Sequence, residues 1–290
     1  MKNIVTIVIA LTLYSCGKKD IEADAYGNFE ATEITISAES SGKIEFLNLD
    51  EGMLLEKNAV IGQIDTVQLY LNKRQLVASI STTNSKSANV LSQRKVLQEQ
   101  LKTAKIEQNR IASMFKENAA TKRQVDDANG KVSVLQQQIN SVATQNAPIL
   151  NEVKSIQVQI AKIDDQLKKS KIVNPMRGTV LAQYSQPNEI TAFGKPLYKI
   201  ADLSEMTLRV YFSETQLPNI KIGQKVSVTI DSNDSSKNYN GTISWISSSA
   251  EFTPKIIQTK EERVNLVYAV KVLVKNDGSL KIGMPAEVKL

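Results

Sequence analysis

The sequence contains no histidine, a single cysteine (Cys16) and only 5% aromatic residues. Without histidine the chain lacks the commonest general base and the commonest metal ligand, and a His-dependent catalytic triad cannot be built. One cysteine excludes an intramolecular disulfide and a Cys-based zinc site. The methionines are scattered, which speaks against a metal-binding role, and no cofactor is expected. No Gly-rich phosphate loop of the P-loop kind is present, so any energy must come from a partner. The acidic pairs Asp126-Asp127 and Asp164-Asp165 consist of neighbours that point apart on a helix, as on a solvated face. A net charge of +6 over 290 residues is modest and dispersed, and no nucleic-acid partner follows from it. So few aromatics argue against one large globular core; elongated helical proteins fill their seams with small and aliphatic side chains instead.

What the chain does contain is one pattern written twice. Ser41-Gly42-Lys43-Ile44, Glu51-Gly52, Asn58, Ile61, Ile64 and Asp65 are answered by Arg177-Gly178-Thr179-Val180, Asn188-Glu189, Gly194, Leu197, Ile200 and Asp202. Gly42 and Gly178, Gly52 and Asn188, Asn58 and Gly194, and Ile64 and Ile200 all stand a constant 136 positions apart (178 − 42). Turn residues meet turn residues and apolar residues meet apolar ones. This predicts two copies of one small β-unit, folded together as a single sandwich and split by an insert. Such a plan suits a connector better than an enzyme.

The insert, from about Val67 to Lys171, holds one proline (Pro148) and one glycine (Gly130). In its second half, steps of three and four run through Val125, Ala128, Val132, Leu135, Ile139, Val142, Asn146, Ile149, Val153, Ile156, Ile160, Ile163 and Leu167, with Asn146 the one polar member. That is a coiled-coil seam. The first half is weaker: Leu76, Ile80, Val90, Leu97, Leu101, Ala104, Ile111 and Phe115 fit the spacing with polar gaps. The turn is placed at Lys116–Thr121, with Asn118 left-handed and Thr121 capping the return helix in a box with Gln124. Two near-equal arms should lie antiparallel, each on the order of 75 Å long. Pro148 and the Ser/Thr/Asn-rich stretch Ser79–Asn89 fall at similar height, so a bend or irregularity is expected there. Ser133–Asn151 carries no charge; this fits either a solvated polar face or lateral packing of like hairpins.

At the amino end, Lys2 precedes an apolar run from Ile4 to Leu13, followed by Leu13-Tyr14-Ser15-Cys16. The run is about half of the ~20 residues a membrane span needs. This resembles a bacterial lipoprotein signal. An ordinary signal peptide would leave the cysteine incidental, but the only cysteine of the chain sits where the acyl group would go. Lipid on Cys16 would anchor the protein to a membrane surface without spanning it.

Taken together, these residues resemble the periplasmic adaptor family, the membrane fusion proteins of the haemolysin-D type. The resemblance implies an α+β, elongated fold. Residues 1–15 would be the signal peptide, and 16–30 the tether with the first barrel-associated strand. A split lipoyl-like sandwich would comprise 31–65 and 172–203, the antiparallel coiled-coil hairpin 66–171, and a β-barrel 204–290. The C-terminal stretch carries the most specific match: Ala250-Glu251-Phe252-Thr253-Pro254-Lys255, Gln258-Thr259, Glu262-Arg263, Leu266-Val267-Tyr268 and Gly283-Met284-Pro285-Ala286 resemble adaptors that serve ABC-type exporters. The alternating Val226-Val228-Ile230 and Val270-Val272-Val274 agree with antiparallel barrel strands. Because the chain reaches Leu290 soon after these strands, a membrane-proximal domain built from both ends is expected to be short or absent.

By the same resemblance, Arg110, Met114 and Thr121 correspond to an Arg, Leu, Ser set at the family's duct-docking tip, with Met for Leu and Thr for Ser. Ordinary roles stand beside this one: a solvated arginine, a seam methionine, a capping threonine. The loop Tyr184–Glu189 corresponds to an inward-facing lipoyl loop in which Gln186 would line a pore, although Pro187-Asn188 equally suits a plain surface turn. The implied partners are an inner-membrane transporter (ABC type, with a proton-driven RND pump as the alternative), a TolC-like outer-membrane duct, and further copies of the chain in a ring, typically of six. The implied location is periplasmic, membrane-anchored through lipid. The rival reading is a structural coiled-coil envelope lipoprotein. A lipoyl or biotinyl carrier is disfavoured, because the hairpin that would display its lysine is replaced by helix.

Overall fold

The computed structural model describes residues 23–231, 236–252 and 266–290. Three parts follow one another: a split β-sandwich, a helical hairpin that interrupts it, and a β-barrel.

The sandwich is built from β2 (Glu33–Ser37), β3 (Gly42–Leu47), β4 (Leu54–Leu55) and β5 (Val60–Ile64) before the hairpin. After it come β6 (Lys171–Val173), β7 (Gly178–Gln183), β8 (Ile190–Thr191) and β9 (Pro196–Ala201). One sheet runs β2-β9-β7-β4 and the other β6-β5-β3-β8. The two orders interchange when each strand is swapped for its counterpart in the other half, so the sandwich has an internal two-fold relation. Each sheet needs strands from both halves, and neither half can close a core alone. Ile44, Leu47, Ile61 and Ile64 from the first half pack with Ile172, Val180, Leu197 and Ile200 from the second in one buried cluster. The repeat extends to the backbone: Gly52 and Asn188 have φ of 86° and 72°, and Asn58 and Gly194 of 65° and 81°. These are left-handed conformations that Gly and Asn adopt at least cost.

A buried polar clip joins the halves. Asn174 and Tyr198 are both fully buried. The Tyr198 hydroxyl donates to Asn174 Oδ1 at 3.0 Å, and Asn174 Nδ2 donates to the carbonyl of Glu56 at 3.0 Å. The Asn174 backbone completes the stitch, donating to Ala59 O at 2.8 Å and accepting from Asn58 N at 2.7 Å. Burial pushes the Tyr198 phenol well above its ordinary range.

The hairpin consists of α1 (Val67–Lys116), then α2 (Lys122–Thr144) and α3 (Asn146–Lys169) returning end to end. Every seam residue from Val125 to Leu167 is buried or half-buried, and of the other residues of α2 and α3 only Ala143 is not exposed. The polar gaps of α1 belong to its seam too. Lys73 Nζ meets Asp164 at 2.6 Å, Ser87 Oγ donates to Asn146 Oδ1 at 2.6 Å, and Gln108 Nε2 donates to Asn129 Oδ1 at 2.8 Å. These three pairs show the arms antiparallel and in register from base to tip. Phe115 departs from the expected seam: it is 43% exposed, at the end of α1 where only the start of the return arm at Lys122 lies across from it.

The expected irregularity falls on one arm only. The return arm breaks at Gln145, whereas α1 runs unbroken through its Ser/Thr/Asn stretch. Pro148 explains the site of the break. It has no N–H for the carbonyl of Thr144, four residues back, and its ring collides with that carbonyl in a continuous helix. The chain therefore ends α2 at Thr144 and restarts, placing Pro148 in the first turn of α3, where proline is tolerated. Poor helix formers in α1 cost only tenths of a kcal/mol each, and the buried Thr83 and Ser87 face the seam.

The barrel comprises β1 (Ala25–Glu30), β10 (Glu205–Ser213), β11 (Lys225–Ile230), β12 (Lys237–Ile246), β13 (Glu251–Phe252), β14 (Leu266–Lys275) and β15 (Pro285–Lys289). The order β10-β1-β15-β11-β12-β14 closes through a β10–β14 pairing, and β13 adds to the end of β14. Alternate side chains point inward: Phe29, Leu208, Val210, Phe212, Val226, Val228, Ile230, Val270, Val272 and Val274 form one core. Gly27 is required where β1 meets β10, since a Cβ there would stand 1.8 Å from Arg209 O.

Candidate functional site

The residues singled out in the sequence lie at the two ends of the hairpin. At its tip, α1 ends as expected at an asparagine: Asn118 has φ of 57°, and Ala119 N donates to Met114 O at 2.8 Å, closing the last turn. Thr121 then caps α2. Its Oγ1 accepts from Gln124 N at 3.3 Å, and Gln124 Oε1 accepts from Thr121 N at 2.7 Å, a complete capping box.

Arg110 and Met114 stand four residues apart on α1 and so share one stripe of its surface. The stripe faces outward, because the neighbouring seam is occupied by Gln108 and Ile111. Met114 is 40% exposed, and the Arg110 guanidinium meets Glu107 Oε1 at 2.7 Å one turn back. That pair is exposed, so it holds the arginine weakly and leaves it available to an outside carboxylate or carbonyl. The tip therefore presents a cation, a soft apolar side chain and a capped helix start, with nothing arranged for bond-making chemistry.

At the base, the loop between β7 and β8 is a tight turn. Asn188 N donates to Ile44 O at 2.8 Å and Glu189 N to Gln186 O at 3.2 Å. Gln183 Nε2 holds the loop from within by donating to Ser185 O at 3.0 Å, and the Ser185 hydroxyl donates to Pro196 O at 3.2 Å. Gln186 is exposed at the crest. Nearby Ile190 and Phe193 are 79% and 77% exposed, an apolar pair that sequence reasoning did not single out. The repeat could have revealed Phe193, which corresponds to the polar Lys57, but not Ile190, which corresponds to the apolar Leu54.

Cys16 and the signal segment lie outside the described residues, as does the Thr253–Arg263 part of the C-terminal match. Glu251, which precedes that part, accepts a two-pronged contact from Arg209 at 3.0 and 2.9 Å. Among the described residues no helix is long and apolar enough to cross a membrane, and no group of His, Cys, Asp and Glu could hold a metal ion.

No protein-family model matches the chain. Relatives run its whole length. It is 25% identical over 311 residues to the UPF0194 membrane protein YbhG of Salmonella arizonae, covering 99% of this chain and 94% of that one. It is 24% identical over 327 residues to the UPF0194 membrane protein YE2891 of Yersinia enterocolitica, covering 99% and 98%. Among solved structures, the membrane fusion protein Spr0693 from Streptococcus pneumoniae R6 superposes with a TM-score of 0.55 at 17% identity, over 91% of this chain and 97% of that one. MacA from Actinobacillus actinomycetemcomitans gives a TM-score of 0.52 at 20% identity, over 91% and 76%. The expected resemblance therefore holds in fold: a lipoyl-like sandwich, a long helical hairpin and a β-barrel in the arrangement of a membrane fusion protein.

Proposed function

We infer that this chain, having the fold of a membrane fusion protein, works as a non-enzymatic periplasmic adaptor. It would link an inner-membrane transporter, of ABC type, to a TolC-like outer-membrane duct and form part of the conduit between them. The observation that carries this reading is the split sandwich. Both halves are needed to close one core, so the hairpin leaves and re-enters a fixed base and projects a reach of about 75 Å away from it. A rigid spike on a folded base is what bridging two separate membrane proteins requires.

In this reading copies assemble in a ring, with sandwiches and barrels forming a funnel over the transporter and hairpins meeting the duct at Arg110, Met114 and Thr121. Gln186 lines the funnel at the sandwich. Lipid on Cys16 supplies membrane attachment. The ABC assignment rests on the C-terminal match around Glu251 and Gly283-Met284-Pro285-Ala286.

The test is co-purification of the full-length lipidated protein with the transporter and the duct encoded beside it. Arg110→Asp should reduce duct recovery about tenfold or more, since it reverses a charge at the contact, and should leave transporter recovery and the circular dichroism spectrum unchanged. Undiminished duct binding would remove Arg110 from the contact. Absence of any transporter or duct partner would overturn the adaptor reading.

A further inference from the structure

Outside the tip and the lipoyl loop, a pocket lies on the outer wall of the barrel. It measures about 510 Å³, and Tyr26, Asn28, Tyr211, Thr229, Asp231 and Glu287 are among the side chains that line it. The register explains why they meet. Tyr26 on β1 pairs with Tyr211 on β10 on one side and with Glu287 on β15 on the other, and Glu287 pairs in turn with Thr229 on β11. Four adjacent strands thus set Tyr211, Tyr26, Glu287 and Thr229 in one row across the barrel wall. Asn28 and Asp231 lie two residues along β1 and just beyond β11.

The chemistry of this row is one-sided. Among the described residues, two tyrosine rings and two carboxylates line the pocket and no lysine or arginine does, in a chain that carries 36 basic residues against 30 acidic ones. Among the described residues, neither Glu287 nor Asp231 enters an ion pair, unlike Glu33 and Glu251, which are salt-bridged to residues on other strands. Arg209, two residues before Tyr211, stands over that ring at 5.8 Å from its centroid while both carboxylate oxygens of Glu251 bind it, so among the described residues Tyr26 is the pocket ring that carries no resident cation. Lys289, two residues after Glu287, does not line the pocket. Tyr26 is 58% exposed, so its ring is presented outward instead of being spent on the core.

An aromatic face attracts a cation electrostatically while its carbon surface accepts apolar substituents. A carboxylate beside it fixes the sign of the charge. The volume falls in the range of small-molecule sites. We propose that this pocket binds a lipophilic organic cation, with Tyr26 supplying the ring face, Tyr211 completing the aromatic wall, and Glu287 and Asp231 the counter-charge. Such a site would give the barrel wall a direct contact with a small cationic molecule, independent of the contacts at the hairpin.

Tetraphenylphosphonium and tetraphenylborate test this directly, because they match in size and shape and differ in charge. Equilibrium dialysis of the purified full-length protein should show saturable, single-site binding of tetraphenylphosphonium and none of tetraphenylborate. Glu287→Gln and Tyr26→Leu should each weaken binding about fivefold, whereas Glu189→Gln, a carboxylate on the sandwich, should change nothing. Both barrel positions are on the outer wall, and an unchanged melting profile confirms folding. Equal binding of the two ions, no binding of the cation, or binding indifferent to both barrel substitutions overturns the proposal. None of these outcomes bears on duct recovery in the adaptor test.

Discussion

Replacing Tyr198 by phenylalanine isolates one hydroxyl in the clip that joins the two halves of the sandwich. The ring remains and fills the same space. Asn174 Oδ1 loses its donor in a site where both residues are fully buried. Leaving a buried acceptor unpaired costs about 1–3 kcal/mol. For a unit as small as the sandwich, each kcal/mol lowers the transition by roughly 4–8 °C. At neutral pH the sandwich of Tyr198→Phe should therefore melt about 4–24 °C below the parent. Alkaline pH gives the sharper signature. Burial raises the phenol pKa in the folded protein above its ordinary value near 10. Folding therefore favours the neutral phenol; that contribution is whole below pH ~10 and drains as pH rises toward the folded-state pKa, at up to about 1.4 kcal/mol per pH unit. The variant has no phenol to ionise at this position. Other tyrosines and lysines titrate in both proteins and cancel in the difference. Calorimetric melts at pH 7, 9, 10 and 11 should show a gap that is constant to pH ~10 and then narrows. A variant as stable as the parent at pH 7, or a gap of constant size to pH 11, would refute the reasoning.

Other substitutions probe other parts. Pro148→Ala should let the return arm run through Gln145, adding one backbone hydrogen bond of about 0.5–1.5 kcal/mol; helical ellipticity and the hairpin melting temperature should both rise, and unchanged values would mean that proline does not set the break. Cys16→Ala should abolish incorporation of radiolabelled palmitate, and equal labelling of both proteins would end the lipoprotein reading. Gln186→Ala should alter efflux through a reconstituted complex if the loop faces the conduit, whereas unaltered flux would make the loop a surface turn.

The repeat was readable because its signals are local: glycine and asparagine mark the left-handed corners at 52, 58, 188 and 194, and an invariant spacing ties them to the apolar residues between. The seam of the return arm was readable for a similar reason, since heptad spacing is a property of consecutive residues. The tip followed from Asn118 and the Thr121 box. What the sequence concealed depends on contacts between distant residues. Lys73, Ser87 and Gln108 look like gaps in α1 until their partners at 164, 146 and 129 are placed opposite them. Asn174 and Tyr198 give no sign in isolation of being a buried pair. Pro148 announced an irregularity but not its extent, because a break three residues upstream on one arm requires knowing that the other arm has seam contacts to hold it straight. The row of Tyr26, Tyr211, Glu287 and Thr229 assembles residues from four strands drawn from both ends of the chain, and no local pattern marks it.

The barrel has a consequence for how the molecule is made. Its strand β1 comes from residues 25–30, and both of its neighbours, β10 and β15, come from residues beyond 204. This strand has no partner until the chain as far as Glu205 is available to fold. The hairpin can form meanwhile, and its zippering draws the two sandwich halves together before any barrel strand is satisfied. Folding is therefore ordered from the spike toward the base, and the barrel closes last, when the final strand β15 seats between β1 and β11.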